Sequence, residues 1–525
     1  MRGGPSLPRR AGRNPQPQNE ATARVAALPA PYGGWNARGN LSNMPATDAV
    51  IMDNIFPGVE DVALRKGCTE WATGFPSGVK SLHAYHSASA SQLFASTNTG
   101  IYNATASGAV GAAVSVVTNG LWSSVNYATT GGSFLTMVNG VDNLRLYDGA
   151  AWTTITGASV PAITGLATTS LLHVNVHKRR LWFVAINSMD LWYLPVDSVA
   201  GALTRFPVGS LFRKGGKLVA SATWTIDGGN GMDDYLVIAT NRGELAVYQG
   251  TDPASSSTWS LVGVYSVGEP LGRNPFCLFG GELLYLSTTG LYPLSKLAQS
   301  SILDRSAAVS FKIDGAFLSS AEAYSANTAW QMVSYPSGNM LVVNIPTSDT
   351  PTAEQYVMNT ITKAWCRFKG WNASSWAVMG GSLYFSSGTK TYKALTGTSD
   401  AGVPLQGVVM QAYSTLGYSG QKSVTMVRPV VSLTANANIQ FGMDTDFYAV
   451  GEHSSRDFVN SSSLWDTALW DTALWDTTAE NSAPKWQVVA NIPGFMHAFR
   501  MQVTTSTSEF IWTSTNFSYR PAGIL

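Results

Sequence analysis

One phrase recurs along the chain, and it restricts the available folds more than any other feature. An apolar run, a turn of Gly, Asn, Ser, Thr or Asp, and a second run carrying an aromatic residue occur at 92–105, 136–152, 181–197, 235–252, 283–296, 340–346 with 355–368, and 383–395. Each has the composition of a β-hairpin, because β-branched and aromatic residues suit a pleated surface and the turn residues tolerate the angles of a reversal. The stretch 234–296 shows how the hairpins are joined. Tyr235 to Ala239, a turn at 241–244 and Leu245 to Tyr248 make one hairpin, and TDPASSST leads to an alternating run from Trp259 to Val267. GEPLGRNP then breaks the chain, and Glu282 to Leu294 repeats the opening pattern, so one meander ends where another begins. Hairpin starts lie roughly 40 to 57 residues apart, the span of a four-stranded propeller blade, which predicts a mainly β fold containing a β-propeller of about seven blades. The last sheet of such a ring is often completed from both ends of the array, so this count is approximate.

Composition agrees. Among 525 residues there are 50 Gly, 17 Trp and 20 Tyr, a usage that suits tight turns and aromatic strand faces. Lys plus Arg is 33 against 32 acidic residues, which excludes the global basic field of a protein that captures nucleic acid from solution. Cys68, Cys277 and Cys366 are far apart and form no metal-binding or redox pair, so they are expected to be core residues of a chain folded in a reducing cytoplasm. No apolar run reaches the roughly 18 residues of a membrane span, and no membrane anchor is expected.

Residues 1–27 read as a flexible basic arm, with Pro5, Pro8, Pro15, Pro17 and several arginines but almost no large apolar side chain before Val25. The alternative is an arm that orders on a neighbouring subunit or an acidic partner. From 28 to 75, Thr47 can cap one helical turn over Asp48 to Ile51, and Val62 to Lys66 reads as a strand. A lone strand is unstable and must join a sheet made elsewhere, most plausibly from the C-terminal region. These residues are expected to form the first part of a platform domain. The propeller is expected over 76–400, with a helical insertion at 297–330 in which Gly315 ends or kinks the helix. After Leu395 the pattern changes: 402–447 and 485–521 each read as about three longer strands, and the alternation of Ile439, Phe441 and Met443 is that of an antiparallel sandwich. Residues 401–525 are thus expected to be the second part of the platform, made from both chain ends.

Between those strand groups lies a Leu-Trp-Asp-Thr-Ala repeat. A five-residue step scatters Trp465, Trp470 and Trp475 over different faces of any regular element, whereas Asp466, Asp471 and Asp476, each followed by Thr, favour side-chain-capped turns. The repeat is either a self-packed loop or a docking strip.

Catalytic and metal signatures are missing. His173 and His177 share a strand face without the glutamate of a zinc protease helix, while His83 and His86 fall on opposite faces. The glycine clusters lie between strands, where no helix follows to make a phosphate loop, and there is no GxSxG. No enzyme activity, cofactor, metal site or catalytic residue is expected.

Several long stretches carry a family resemblance. PYGGWNARGNLSNMPATDAVIMDNIFPG (31–58), RKGCTEWATGF (65–75), VYQGTDPASSSTWSLVGVYSVGEPLGRNP (247–275), VMNTITKAWCRFKGW (357–371) and LWDTALWDTALWDT (464–477) resemble the tail nozzle proteins, also called tail tubular protein B, of short-tailed bacteriophages. The resemblance implies a structural virion protein that forms a homohexamer at the distal end of the tail after folding in the host cytoplasm. It also implies attachment to the head-to-tail adaptor protein and to tail fibres or spikes, with double-stranded DNA passing transiently through the ring. On that basis Trp35, Asn36 and the Trp-Asp pairs of the repeat are expected at a subunit interface, and Arg305, Phe311 and Lys312 in a channel or gate insertion. A tube that must not retain DNA is expected to be lined by neutral or acidic residues, since each neutralised phosphate adds to binding. The alternative functions are a glycan-binding or depolymerising propeller and, less well matched to the Trp repeat, a monomeric interaction scaffold.

Overall fold

A computed structural model describes residues 22–227, 232–299, 304–348, 352–448, 454–458, 486–489 and 492–522. The fold is mainly β. Successive antiparallel meanders follow one another along the chain, with first strands Ser81–His86, Ser123–Thr129, Leu171–His177, Leu218–Asp227, Phe276–Phe279, Gln331–Tyr335 and Ser375–Met379. Each first strand lies against the neighbouring meander, and Ser375–Met379 lies against Ser81–His86, so the array closes on itself. The described residues therefore form a seven-bladed propeller, with the first strands innermost.

The hairpin phrase of the sequence corresponds to the middle strands of each blade, and a side-chain hydroxyl explains its turn residues. Thr97 Oγ1 bonds across its turn to the Gly100 backbone, Thr240 Oγ1 does so to Glu244, and Ser287 Oγ donates to the Gly290 carbonyl at 2.9 Å. The middle strands are apolar on both faces because a neighbouring blade covers each. In Met232–Thr240, Leu236, Val237, Ile238 and Ala239 are all fully buried.

Blade seven is completed from the other end of the chain. Its three strands end at Lys390–Ala394, which pairs antiparallel with Cys68–Glu70. Residues 68–70, expected within the 28–75 platform segment, thus belong to the propeller, because a ring closes only if its last sheet meets its first. Blade five has three strands, Phe276–Phe279, Glu282–Ser287 and Gly290–Pro293, followed by the helix Leu294–Gln299 in place of a fourth.

The remaining strands form a sandwich. One sheet contains Asp48–Asp53, Val403–Gln411, His497–Thr505 and Ala437–Thr445; the other contains Ile55–Pro57, Val62–Leu64, Phe510–Pro521 and Lys422–Leu433. Ile439, Phe441 and Met443 are fully buried between them, and Phe499 of the first sheet meets Trp512 and Phe517 of the second at centroid distances of 5.8 and 6.0 Å. Val62–Leu64 pairs with the C-terminal strand, which supplies the partner a lone strand needs.

Two expectations for the N-terminal region are corrected. Arg24–Pro29 is a strand paired with Phe510–Pro521, so the arm gives way to ordered structure at Arg24, before Leu28. Asp48–Asp53 is a strand in place of a helical turn, because Val50 and Ile51 are β-branched and its neighbours offer a backbone ladder on both sides. The arm before residue 22 lies outside the described residues.

Sandwich and propeller are joined by charged pairs. Asp53 accepts two hydrogen bonds from Arg367, at 2.7 and 3.0 Å, and an ion pair from Lys369 at 2.8 Å. The Arg65 side chain is fully buried: it forks onto Asp400 at 2.9 and 2.6 Å, donates to the carbonyls of Lys66 and Lys369, and lies 4.2 Å above the Trp371 ring. A buried guanidinium needs that many partners to offset its lost hydration.

Candidate functional site

The residues expected at an interface or a gate lie where the 297–330 insertion meets the sandwich. The insertion is not one helix: Leu294–Gln299 and Asp314–Tyr324 are helical, with short turns between them. Gly315 is the second residue of the later helix instead of its end. A Cβ there would come within 2.4 Å of the Ala37 carbonyl, so glycine permits the close approach of the two segments. Lys312 Nζ donates to the Gly33 carbonyl at 2.6 Å and pairs with Asp48 at 2.7 Å, Arg38 lies 3.8 Å above the Phe311 ring, and Arg305 pairs with Asp314 at 2.7 Å. The Lys312 and Phe311 contacts fasten the insertion to residues 33–48, while Arg305–Asp314 braces it internally, so the arrangement is a packed rim and not a free projection. Beside it is an open groove of about 920 Å³ whose walls include Tyr32, Asn36, Arg38, Val59, Lys312 and Lys363.

Trp35 is not at a surface. It is 6% exposed, meets the edge of Tyr356 at 5.1 Å and carries the Arg367 guanidinium at 5.1 Å. Its indole packs against the chain's own Tyr356 and Arg367, where a subunit contact was expected. Asn36 does line the groove, but its amide donates to Asp48 at 2.8 Å. Trp465, Asp466, Trp470, Asp471, Trp475 and Asp476 lie outside the described residues.

A second polar region was not singled out in the sequence: the propeller axis. At the start of the innermost strands, side chains stitch one blade to the next. His83 is bonded at 2.8 Å to both Ser81 and Ser124; Ser123 bonds to His173 Nδ1 at 3.0 Å; and His173 Nε2 lies 2.9 Å from the Ser221 carbonyl. Because a carbonyl only accepts, Nε2 carries the His173 proton and Nδ1 accepts from the Ser123 hydroxyl. Burial pushes the pKa of His83 down to about 3 and that of His173 to about 4, with the Arg273 charge acting in the same direction, so both rings are neutral at pH 7. His177, four residues on, is likewise held at about 4 by burial. No group of three metal-ligating side chains occurs among the described residues. The sequence signal for this region was a polar residue near the start of six of the seven first strands, Ser81, Ser123, His173, Ser221, Gln331 and Ser375, and the hairpin phrase begins after it.

Two adjacent cavities lie along the axis. One, of about 160 Å³, is bounded by Lys80, His83, Ser124, Arg273 and Gln331 among others; the other, of about 390 Å³, by His173, Asn175, Thr223 and Phe276. Ser124 and Asn274 line both. Arg273 spans one mouth, from the link between blades four and five to the Asn139 carbonyl of blade two, 3.3 Å away. A further cavity of about 700 Å³ lies between blade seven and the sandwich. Its aromatic column of Trp371, Phe385 and Tyr392 is stacked ring on ring; Trp371 and Phe385 are each 2% exposed and belong to the core, while Tyr392 at the end of the column is half-buried.

No protein-family model and no curated protein matches the chain. Among solved structures it is similar to BBS1N, crystallised in complex with ARL6DN, at 9% identity and a TM-score of 0.39, covering 64% of this chain and 99% of that one. It is also similar to the extracellular domain of a putative hybrid two-component system, BT3049, from B. thetaiotaomicron, at 12% identity and a TM-score of 0.38, covering 61% and 40%. Sqt1 of Saccharomyces cerevisiae matches at 9% identity and a TM-score of 0.36, covering 63% and 100%. At these scores the likenesses carry no functional argument.

Proposed function

We propose that this chain is a structural subunit of a ring at the distal end of a short phage tail, a conduit and gate for the genome. Six copies close the ring, attached to the adaptor protein on one side and to fibres or spikes on the other. One observation carries the reading: three of the five sequence stretches that resemble nozzle proteins converge at the junction of propeller and sandwich. Asp53 comes from the first stretch, Arg65 from the second and Arg367 from the fourth, and these form the ion pairs and carbonyl bonds that fix the two parts together. A ring subunit needs such a rigid joint, because small errors in the angle between its parts accumulate around the closed circle.

The propeller axis is not the conduit in this reading. Arg273 crosses its mouth, and a cavity of about 160 Å³ is far too small for a duplex. DNA therefore passes between copies. With the 297–330 insertion bound to the sandwich, constrictions come from blade loops.

Gold-labelled antibody raised against the propeller tests this on intact particles of the phage that carries the chain. Label is expected at the tail tip, and label confined to the capsid, or absent from particles, contradicts the proposal.

A further inference from the structure

Most buried arginines in this chain are anchored by a carboxylate or by several acceptors, and the half-buried Arg273 differs from them. Arg65, Arg367 and Arg500 each meet a carboxylate, and Arg145 donates to Ser115 Oγ and to the carbonyls of Asn143 and Val116. Arg273 instead makes a single long hydrogen bond to the Asn139 carbonyl, at 3.3 Å, and no ion pair among the described residues. A guanidinium has five N–H donors in a fixed fork, so most of those of the half-buried Arg273 are left to solvent or a ligand. It remains charged at neutral pH, and burial alone lowers its pKa, with no carboxylate acting against the shift.

Its surroundings share the same character. The 160 Å³ cavity beneath it is walled by hydroxyl, amide and imidazole groups together with apolar side chains such as Leu82, Leu121 and Trp330; Lys80 and Arg273 are its charged residues, and no carboxylate lines it. The imidazoles are committed as neutral bridges between blades, so they neither compete for the cation nor repel an anion. Asn274 borders both axial cavities, and its carbonyl oxygen accepts from the Phe276 amide, which leaves its NH₂ as a donor.

We propose that this mouth of the propeller axis binds a small oxyanion, a phosphate or a carboxylate, on the fork of Arg273. Two oxygens of either group match the parallel N–H pair of a guanidinium, and Lys80, which lines the same cavity, adds positive charge. The cavity holds the volume of about five waters, enough for an anion of a few heavy atoms and too little for a nucleotide. Bound there, the anion ties the link between blades four and five to blade two across the ring, and it supplies the countercharge that the chain itself omits. This property belongs to the single propeller and is independent of the ring proposed above.

Isothermal titration of the full-length protein, with inorganic phosphate and separately with succinate at an ionic strength fixed by sodium chloride, tests it. Saturable one-to-one binding of at least one is expected, weakened at least tenfold in Arg273→Ala. Binding of phosphate alone identifies a tetrahedral anion as the ligand, and binding of succinate alone a carboxylate. No binding of either, or equal affinity in Arg273→Ala, overturns the proposal. If Arg273→Ala does not fold, Arg273→Lys carries the test, because it keeps a cation at the mouth and loses the fork. Affinity at least fivefold weaker is expected, and unchanged affinity overturns the site.

Discussion

Buried His83, His173 and His177 give the molecule a defined response to acid. Each has its pKa held to about 3 or 4 in the folded chain, against about 6.5 when unfolded. Between these values the unfolded chain binds more protons, so stability is fully present above pH 6.5 and falls as pH drops towards 4. The carboxylates held below their ordinary range, Asp142, Asp148 and Asp234, begin to lose their contribution only near pH 4 and leave the window from 7 to 5 to the histidines. Thermal unfolding between pH 7.5 and 5 is expected to show a steadily falling midpoint, and His173→Gln to flatten the slope by about one proton; an unchanged slope in the variant contradicts this assignment. The HVNVH spacing was legible as two histidines on one face, and so was the absence of a zinc site signature. What His173 bonds to was not, because Ser123 and Ser221 are 50 and 48 residues away, each in a different blade.

At the level of elements, the hairpins could be read because everything that specifies them is local: two runs and a turn within about twenty residues. The latch of the ring is different. Cys68–Glu70 is three residues long and meets a strand more than three hundred positions later, so no local pattern marks it as part of blade seven. The helical insertion was legible in kind but not in extent, since Gly315 serves close packing on Ala37 and its propensity as a helix breaker was misleading. Asp48–Asp53 was misread for a related reason, as a capping threonine counts for less than a waiting sheet edge. Gly67 offers a test of the latch. Its amide donates to the Gly397 carbonyl and its carbonyl accepts from Thr396, and a Cβ on it would lie 1.9 Å from the Ser399 carbonyl oxygen. Gly67→Ala must push the N-terminal segment away from the end of blade seven, with an expected loss of about 1–3 kcal/mol in denaturant unfolding. An unchanged midpoint would mean that this contact does not hold the ring closed.

For the whole molecule, closure of the propeller from both chain ends and construction of the sandwich from the same two ends are one arrangement. The strand that finishes blade seven follows directly on Val62–Leu64, and Arg65 between them is buried against Asp400. The two parts are therefore fixed relative to each other by the chain that builds them, which is the property the proposed ring requires. The pairing of distant ends was foreseen from the need of isolated strands for partners, whereas the charged joint was not, because Asp53, Arg65, Arg367 and Asp400 are scattered in sequence and each resembles a solvated surface residue. A cryo-electron microscopy reconstruction of the tail in assembled particles tests the central claim. The account predicts six copies around a lumen that runs between them, lined by neutral and acidic side chains, with every propeller axis lying outside the path of the DNA. A chain found outside any closed ring, or a lumen with a continuous Lys and Arg lining, would contradict it.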